Sequence, residues 1–231
     1  MNDGPVLRRA PLFCLVTDRL GFAAFLGTAE DPRALLEEQV GVAAAAGVDL
    51  VHVRERDLGG ADLLALVSRL VDRARGSRAR VVVNDRLDVA LAALAGGVHL
   101  RGDSVPTRRA RAAAPPGFLV GRSVRTAAAA AGESAAGADY VVLGTIYPTP
   151  SKPGDRTVVG VEELRRAAAG CTVPVLAIGG VTEARIGDVA AAGAAGIAAI
   201  RLFWGPRLDV GAFAGAVARW RGAFDLNRPI T

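Results

Sequence analysis

Lysine is almost missing from this chain of 231 residues: Lys152 stands alone against a combined Lys and Arg count of 28. Arginine therefore carries nearly all of the basic charge, and a net charge of +5 spread among 23 acidic residues reads as a mixed solvated surface, not a nucleic-acid stripe. Cysteine is scarce too. Cys14 and Cys171 lie far apart with no CxxC and no histidine-rich partner, which excludes a disulfide framework and a structural zinc site and suits a reducing, cytoplasmic compartment. No run of about eighteen uncharged apolar residues occurs, and the apolar stretch near the N-terminus is too short for a signal peptide, so neither a membrane span nor a leader is expected. No Ser/Gly-rich linker divides the chain. With 51% hydrophobic and 22% charged residues, what remains is one soluble domain over 1-231, with loose ends at 1-9 and 226-231.

Eight apolar β-rich runs are present, each followed by a turn signal and a stretch of helical length. The strands are expected at Leu12–Thr17, Leu50–Arg54, Val81–Asn84, Gly97–Leu100, Leu119–Ser123, Tyr140–Gly144, Val175–Ile178 and Gly196–Ile200. Helices are expected at Pro32–Ala46, Ala61–Arg75, Leu87–Ala95, Thr107–Ala113, Ala127–Ala136, Val161–Ala169, Ala184–Ala192 and Asp209–Phe224. Asp31-Pro32 sets an N-cap before a first-turn proline, and Gly47, Gly137 and Gly193 stand where a left-handed residue ends a helix. Strands such as VVV and YVVLG are apolar throughout, as parallel strands covered on both faces must be. Strand and helix alternate without hairpin signals, so the expected fold is α/β, a single (β/α)8 TIM barrel. The segment TDRLGFAAFLG lacks the glycine fingerprint that an open dinucleotide-binding sheet would carry after its first strand.

In such a barrel the chemistry lies at the C-terminal strand ends and the loops beyond them. Alternation after the second strand sends His52, Arg54 and Arg56 to one side and Glu55 to the other, and two guanidiniums at one strand end suit a polyanion. Asp85, after Asn84, and Asp103 come from adjacent strand ends, where two carboxylates and a phosphorylated substrate commonly build a magnesium site; the competing reading makes Asp85 a helix cap and Asp103 a turn residue. His99, inside the fourth strand, reads as a packed core histidine. The loop Tyr147–Gly154 joins Thr149, Ser151 and Lys152 to a stiff Pro/Gly backbone, like a lid on phosphate. Gly179 and Gly180 allow backbone N–H groups close to an anion, or serve tight packing, and Arg201 follows the eighth strand. The residues thus describe a barrel enzyme for a phosphate or pyrophosphate ester.

The segments VHVRERD, VVVNDRLDVAL, GGVHLRGDSVP, LVGRSVRT, YVVLGTIYPTPSKPG and VPVLAIGGVTEARIGDVAAAGAAGIA resemble, in order and spacing, the thiamine phosphate synthase/TenI family. The resemblance implies a single barrel that joins hydroxymethylpyrimidine diphosphate to a thiazole phosphate, expelling pyrophosphate with the help of Mg2+. It implies that Arg54, Asn84, Ser123 and Lys152 hold the pyrimidine and its diphosphate, Asp85 the magnesium, and Thr149 and Ser151 the phosphate or thiazole. Gly180 would bind the thiazole phosphate through its backbone. Lys152, Arg54 and Ser123 would then be the catalytic set, and the partners would be small phosphorylated molecules, with no nucleic acid and no membrane. The chain departs from the synthase pattern at His52 and Arg56, where Gln and Lys are usual. It also carries Ser104 at the second magnesium aspartate and Arg201 at a usual serine. The HVRER and GRSV segments are similar to TenI-like thiazole tautomerases, yet the histidine expected of a tautomerase falls at Arg125. Tautomerase and non-catalytic phosphate-ligand binder therefore remain as alternatives.

Overall fold

The computed structural model describes Leu7 and residues 11–149, 158–205 and 208–229. Eight parallel strands, each hydrogen-bonded to the next, close between the first and the last into a barrel. They are β1 Leu12–Val16, β2 Leu50–Val53, β3 Arg80–Asn84, β4 Gly97–Leu100, β5 Leu119–Val124, β6 Tyr140–Gly144, β7 Val175–Ile178 and β8 Gly196–Ala199. Among the described residues the helices are α1 Arg19–Leu26, α2 Pro32–Ala45, α3 Gly60–Ala74, α4 Leu87–Ala92, α5 Thr107–Ala113, α6 Ala127–Ala135, α7 Gly160–Gly170, α8 Ile186–Ala191 and α9 Val210–Asn227.

Period-two alternation splits each strand between two apolar layers. Inward residues such as Leu12, Cys14, Leu50, Val82, Leu119, Tyr140, Val142 and Leu176 fill the barrel. Outward residues such as Phe13, Val51, Val83, Val120, Val141 and Ile197 pack under the helices. Helix α3 shows why these helices form: Leu63, Leu66, Val67, Leu70 and Ala74 recur at three- and four-residue spacing and are all buried.

The expected local signals hold where they were strongest. Asp31 accepts from the Arg33 N–H at 3.0 Å, and Gly47, Gly137 and Gly193 have φ of 88°, 98° and 83°. Three details differ from expectation. Helix α1 was not foreseen, although Asp18 caps it by accepting from the Gly21 N–H at 3.0 Å and Gly27 ends it at φ 65°. The helix expected over Leu87–Ala95 stops after Ala92, and Leu94 turns the chain at φ 53° toward β4. Helix α9 runs on to Asn227, whose side chain donates back to the Ala223 carbonyl at 2.8 Å, so 226–227 are helical.

At the N-terminal end of the barrel, buried Asp49 accepts from the Phe13 N–H at 2.8 Å and pairs with Arg221 at 2.7 Å and with Arg78. Arg221 also donates to the carbonyls of Pro11 at 2.6 Å and Gly47 at 2.8 Å. This clasp ties α9 to β1 and β2 at the end opposite the catalytic face.

Candidate active site

The C-terminal strand ends surround a cavity of about 790 Å³. Its floor is made by inward residues of the upper strands. The rings of His52 and His99 lie 4.4 Å apart. His99 Nδ1 faces the Tyr140 hydroxyl at 3.1 Å and Nε2 faces Ser123 Oγ at 2.8 Å. Tyr140 reaches His99 only because Gly121 has no side chain, since a Cβ there would stand 2.6 Å from Tyr140 Cε1. Burial, then the Arg122 charge, pushes the His99 pKa down to about 3. Burial, then His99 and Arg54, holds His52 well below its usual value. Both imidazoles are neutral at physiological pH, and His52 Nε2 is buried with no hydrogen-bond partner among the described residues.

The wall is dominated by guanidiniums: Arg54, Arg56, Arg101, Arg122, Arg125, Arg185 and Arg201 all line it. Glu133 is the one carboxylate on the wall among the described residues, and it is spent on Arg122 at 3.4 Å and on the Thr107 hydroxyl at 2.5 Å. Burial, followed by the neighbouring Arg56 charge, lowers the Arg54 pKa. Glu55 points away from the cavity, as alternation requires, and takes the Thr17 hydroxyl at 2.5 Å and the Arg19 guanidinium at 2.8 Å. Thr17 Oγ1 in turn accepts from the Arg54 N–H at 2.9 Å, so α1 and the β2 end are locked together behind Arg54.

Of the residues singled out from sequence, His52, Arg54, Arg56, Asn84, Ser123, Thr149, Gly179, Gly180 and Arg201 meet on this one cavity. Ser151 and Lys152 lie outside the described residues. Gly179 and Gly180 have φ of 96° and 65°, and a Cβ on Gly180 would stand 2.5 Å from the Pro148 carbonyl and 2.7 Å from that of Tyr147. The pair therefore serves close packing of the β6 and β7 loops while keeping backbone on the cavity wall. Sequence reading gave no role to Arg101, Arg122 or Arg185. Alternation along β4 through Gly97, His99 and 101 was the signal available for Arg101. Arg122 and Arg185 carried none, since both are placed by loop contacts: Arg122 with the carbonyls of Gly102 and Val105, Arg185 with that of Gly180. Buried Cys14, its pKa pushed up to about 12 chiefly by burial, is not a nucleophile.

Asp85 and Asp103 do not face one another across a free space. Asp85, at φ 61°, makes no cap to α4; its Oδ1 accepts from the Arg101 N–H at 3.1 Å and from the Ser104 hydroxyl, and its Oδ2 pairs with Arg101 Nε at 2.7 Å. Arg101 Nη2 takes Asp103 at 2.8 Å. The group standing between the two carboxylates is thus a guanidinium, and with the Ser104 hydroxyl it takes up the carboxylate oxygens that a magnesium ion would share with a phosphorylated substrate. This donor set does not fit a resident magnesium ion.

A closed parallel barrel with its polar residues collected at the C-terminal strand ends belongs to the (β/α)8 enzymes. More particularly, the chain is a member of the thiamine monophosphate synthase family, whose sequence model matches residues 24–203. It is 44% identical over 159 residues to the thiamine-phosphate synthase of Methanoculleus marisnigri, covering 69% of this chain and 75% of that protein. It is 35% identical over 191 residues to that of Chlorobium luteolum, covering 83% and 84%. The solved thiamine phosphate pyrophosphorylase from Pyrococcus furiosus superposes with a TM-score of 0.77 at 27% identity, covering 95% of this chain and 98% of that one. No helix among the described residues is long and apolar enough to cross a membrane.

Proposed function

We propose that this cavity joins hydroxymethylpyrimidine diphosphate to a thiazole phosphate, giving thiamine phosphate and pyrophosphate. Beyond membership of the family, one observation carries the reading: seven guanidiniums line the cavity and its one described carboxylate is already paired with one of them, so the site holds an excess of positive charge that a diphosphate and a phosphate together would offset. In the reaction the C–O bond between the pyrimidine methylene and the diphosphate breaks, and its electron pair leaves on pyrophosphate. The thiazole nitrogen then donates its lone pair to the resulting cation.

Arg54, Arg56, Asn84 and Ser123, on the β2, β3 and β5 ends, hold the pyrimidine and its diphosphate. Thr149 and the Gly179-Gly180 backbone with Arg201 take the thiazole phosphate. Ser151 and Lys152 belong to the same β6 loop in sequence, and the compact ammonium of Lys152 meets charge building on the leaving group. The neutral imidazoles of His52 and His99 form a floor that adds no positive charge against the pyrimidine cation. With two free cysteines and small phosphorylated substrates, the cytoplasm is the compartment that suits the protein.

The test is incubation of purified protein with both substrates and magnesium, followed by mass-spectrometric detection of thiamine phosphate. Conversion of a thiazole phosphate between tautomers with no coupled product would replace this reading with the tautomerase. Tight ligand binding without either reaction would replace it with a non-catalytic binder.

A further inference from the structure

We propose that the Arg101 guanidinium stands where a divalent cation would otherwise bridge Asp85 to a diphosphate, so that this site holds and neutralises the diphosphate without a metal ion. The inference rests on the reading above that one substrate carries a diphosphate. It begins with the disagreement between the carboxylates and magnesium. A magnesium ion needs six oxygen ligands in near-octahedral order at about 2.0–2.1 Å. To enter here it would have to displace Nε from Asp85 Oδ2 and compete with the backbone N–H and the Ser104 hydroxyl at Oδ1.

The guanidinium is placed for the task. Position 101 continues the inward alternation of Gly97 and His99 and reaches the cavity wall. Its Nε lies 2.7 Å from Asp85 Oδ2 as an ion pair outside hydrogen-bond geometry, and one hydrogen on Nη2 serves Asp103, which leaves both hydrogens of Nη1 and the second on Nη2 for an anion. A planar fork of that kind matches two phosphate oxygens at once.

The loop that carries it is held still. The Arg101 N–H donates to Ser104 Oγ at 2.9 Å as well as to Asp85. Buried Arg122 clamps the same loop by donating to the carbonyls of Val105 at 2.8 Å and Gly102 at 3.2 Å. The two acidic residues orient Arg101 and offset its charge, and Arg54 and Arg56 face the same cavity, so an arriving diphosphate meets fixed cations that need no reorganisation.

Calorimetric titration of inorganic pyrophosphate into protein stripped with EDTA tests this. The wild type is expected to bind without metal, and added magnesium to change its Kd by no more than about threefold. Arg101→Ala is expected to weaken metal-free binding by about ten- to a hundredfold, with Arg101→Lys between the two. Binding by the wild type only when magnesium is supplied, or equal metal-free affinity in Arg101→Ala, would overturn the inference. Should Arg101→Ala fail to fold, the wild-type comparison with and without magnesium decides alone. A parallel turnover assay separates this inference from the reaction it rests on. Metal-free pyrophosphate binding with no thiamine phosphate formed under any metal condition removes the reaction and keeps the role of Arg101. Thiamine phosphate formed only with magnesium keeps the reaction and removes that role.

Discussion

His52 and His99 stack with ring centroids 4.4 Å apart and planes tilted by 44° at the floor of the cavity, both buried and both held neutral. Their burial has a consequence for stability. In the unfolded chain each imidazole titrates near 6.5, whereas in the folded chain His99 does so only near 3 and His52 well below its usual value. Above about pH 6.5 neither state takes up these protons and stability is insensitive to them. Below it the unfolded chain gains protons that the folded chain refuses, so stability falls by about 1.4 kcal/mol per pH unit for each histidine. Urea denaturation between about pH 6.5 and 5 should show this slope, and His99→Gln should reduce it by about one proton. An unchanged slope in that variant would mean that His99 is not held neutral.

Gly121→Ala should disturb the same floor from below. A Cβ at 121 would stand 2.6 Å from Tyr140 Cε1 and nearer still to Cζ and the hydroxyl, which would be driven off His99 Nδ1. Overpacking of this kind costs about 1–3 kcal/mol. The denaturation midpoint should drop accordingly, and a midpoint equal to the wild type would show that Tyr140 has room the packing does not reveal.

Asp49→Ala should be costly without touching the chemistry. Removing the carboxylate strands Arg221 and the Phe13 N–H at the N-terminal end of the barrel, and breaking such a pair costs about 3–5 kcal/mol when fully buried, somewhat less here because Arg221 is partly exposed. Denaturation should register the loss while KM for either substrate stays as in the wild type. A changed KM with unchanged stability would contradict the separation of the two barrel ends.

The barrel was legible because its signals are local and redundant: continuously apolar strands, capped helix starts and left-handed glycines at 47, 137 and 193 all demand the same alternation of elements. Helix α1 escaped because the segment after β1 was weighed only as a phosphate-binding turn, although Asp18 and Gly27 bracket it as caps. In the cavity, residues displayed by strand parity were readable, as with His52, Arg54 and Arg56. The partnership of Asp85 with Arg101 was not, since it depends on a left-handed backbone at 85 and on the path of the loop after β4, neither of which alternation encodes.

Lys152 lies outside the described residues, and its role rests on chemistry and on its isolation among arginines. If its ammonium meets charge that gathers on the departing pyrophosphate, the interaction strengthens toward the transition state. Lys152→Ala should then lower kcat more than it raises KM. A variant with wild-type kcat would make the lone lysine an accident of composition.

Arg201 stands just beyond β8, on the cavity wall, with its guanidinium carbon 5.5 Å from the centroid of the Trp204 ring. It is exposed, so truncation should leave folding almost untouched, within about 0.5 kcal/mol. Its planar fork suits a phosphate held against the Gly179-Gly180 backbone, and loss of one charge-assisted contact is worth about 1.5–3 kcal/mol, roughly ten- to a hundredfold in Kd. Titration of a thiazole phosphate should therefore find weaker binding in Arg201→Ala, with Arg201→Lys only partly restored because an ammonium cannot fork. Arg201→Ser adds a second comparison, since the smaller side chain removes the charge but opens room beside the glycines. If it binds the thiazole phosphate better than wild type, Arg201 limits the size of the ligand more than it holds the phosphate; if Arg201→Ala and wild type bind equally, Arg201 is no part of the site.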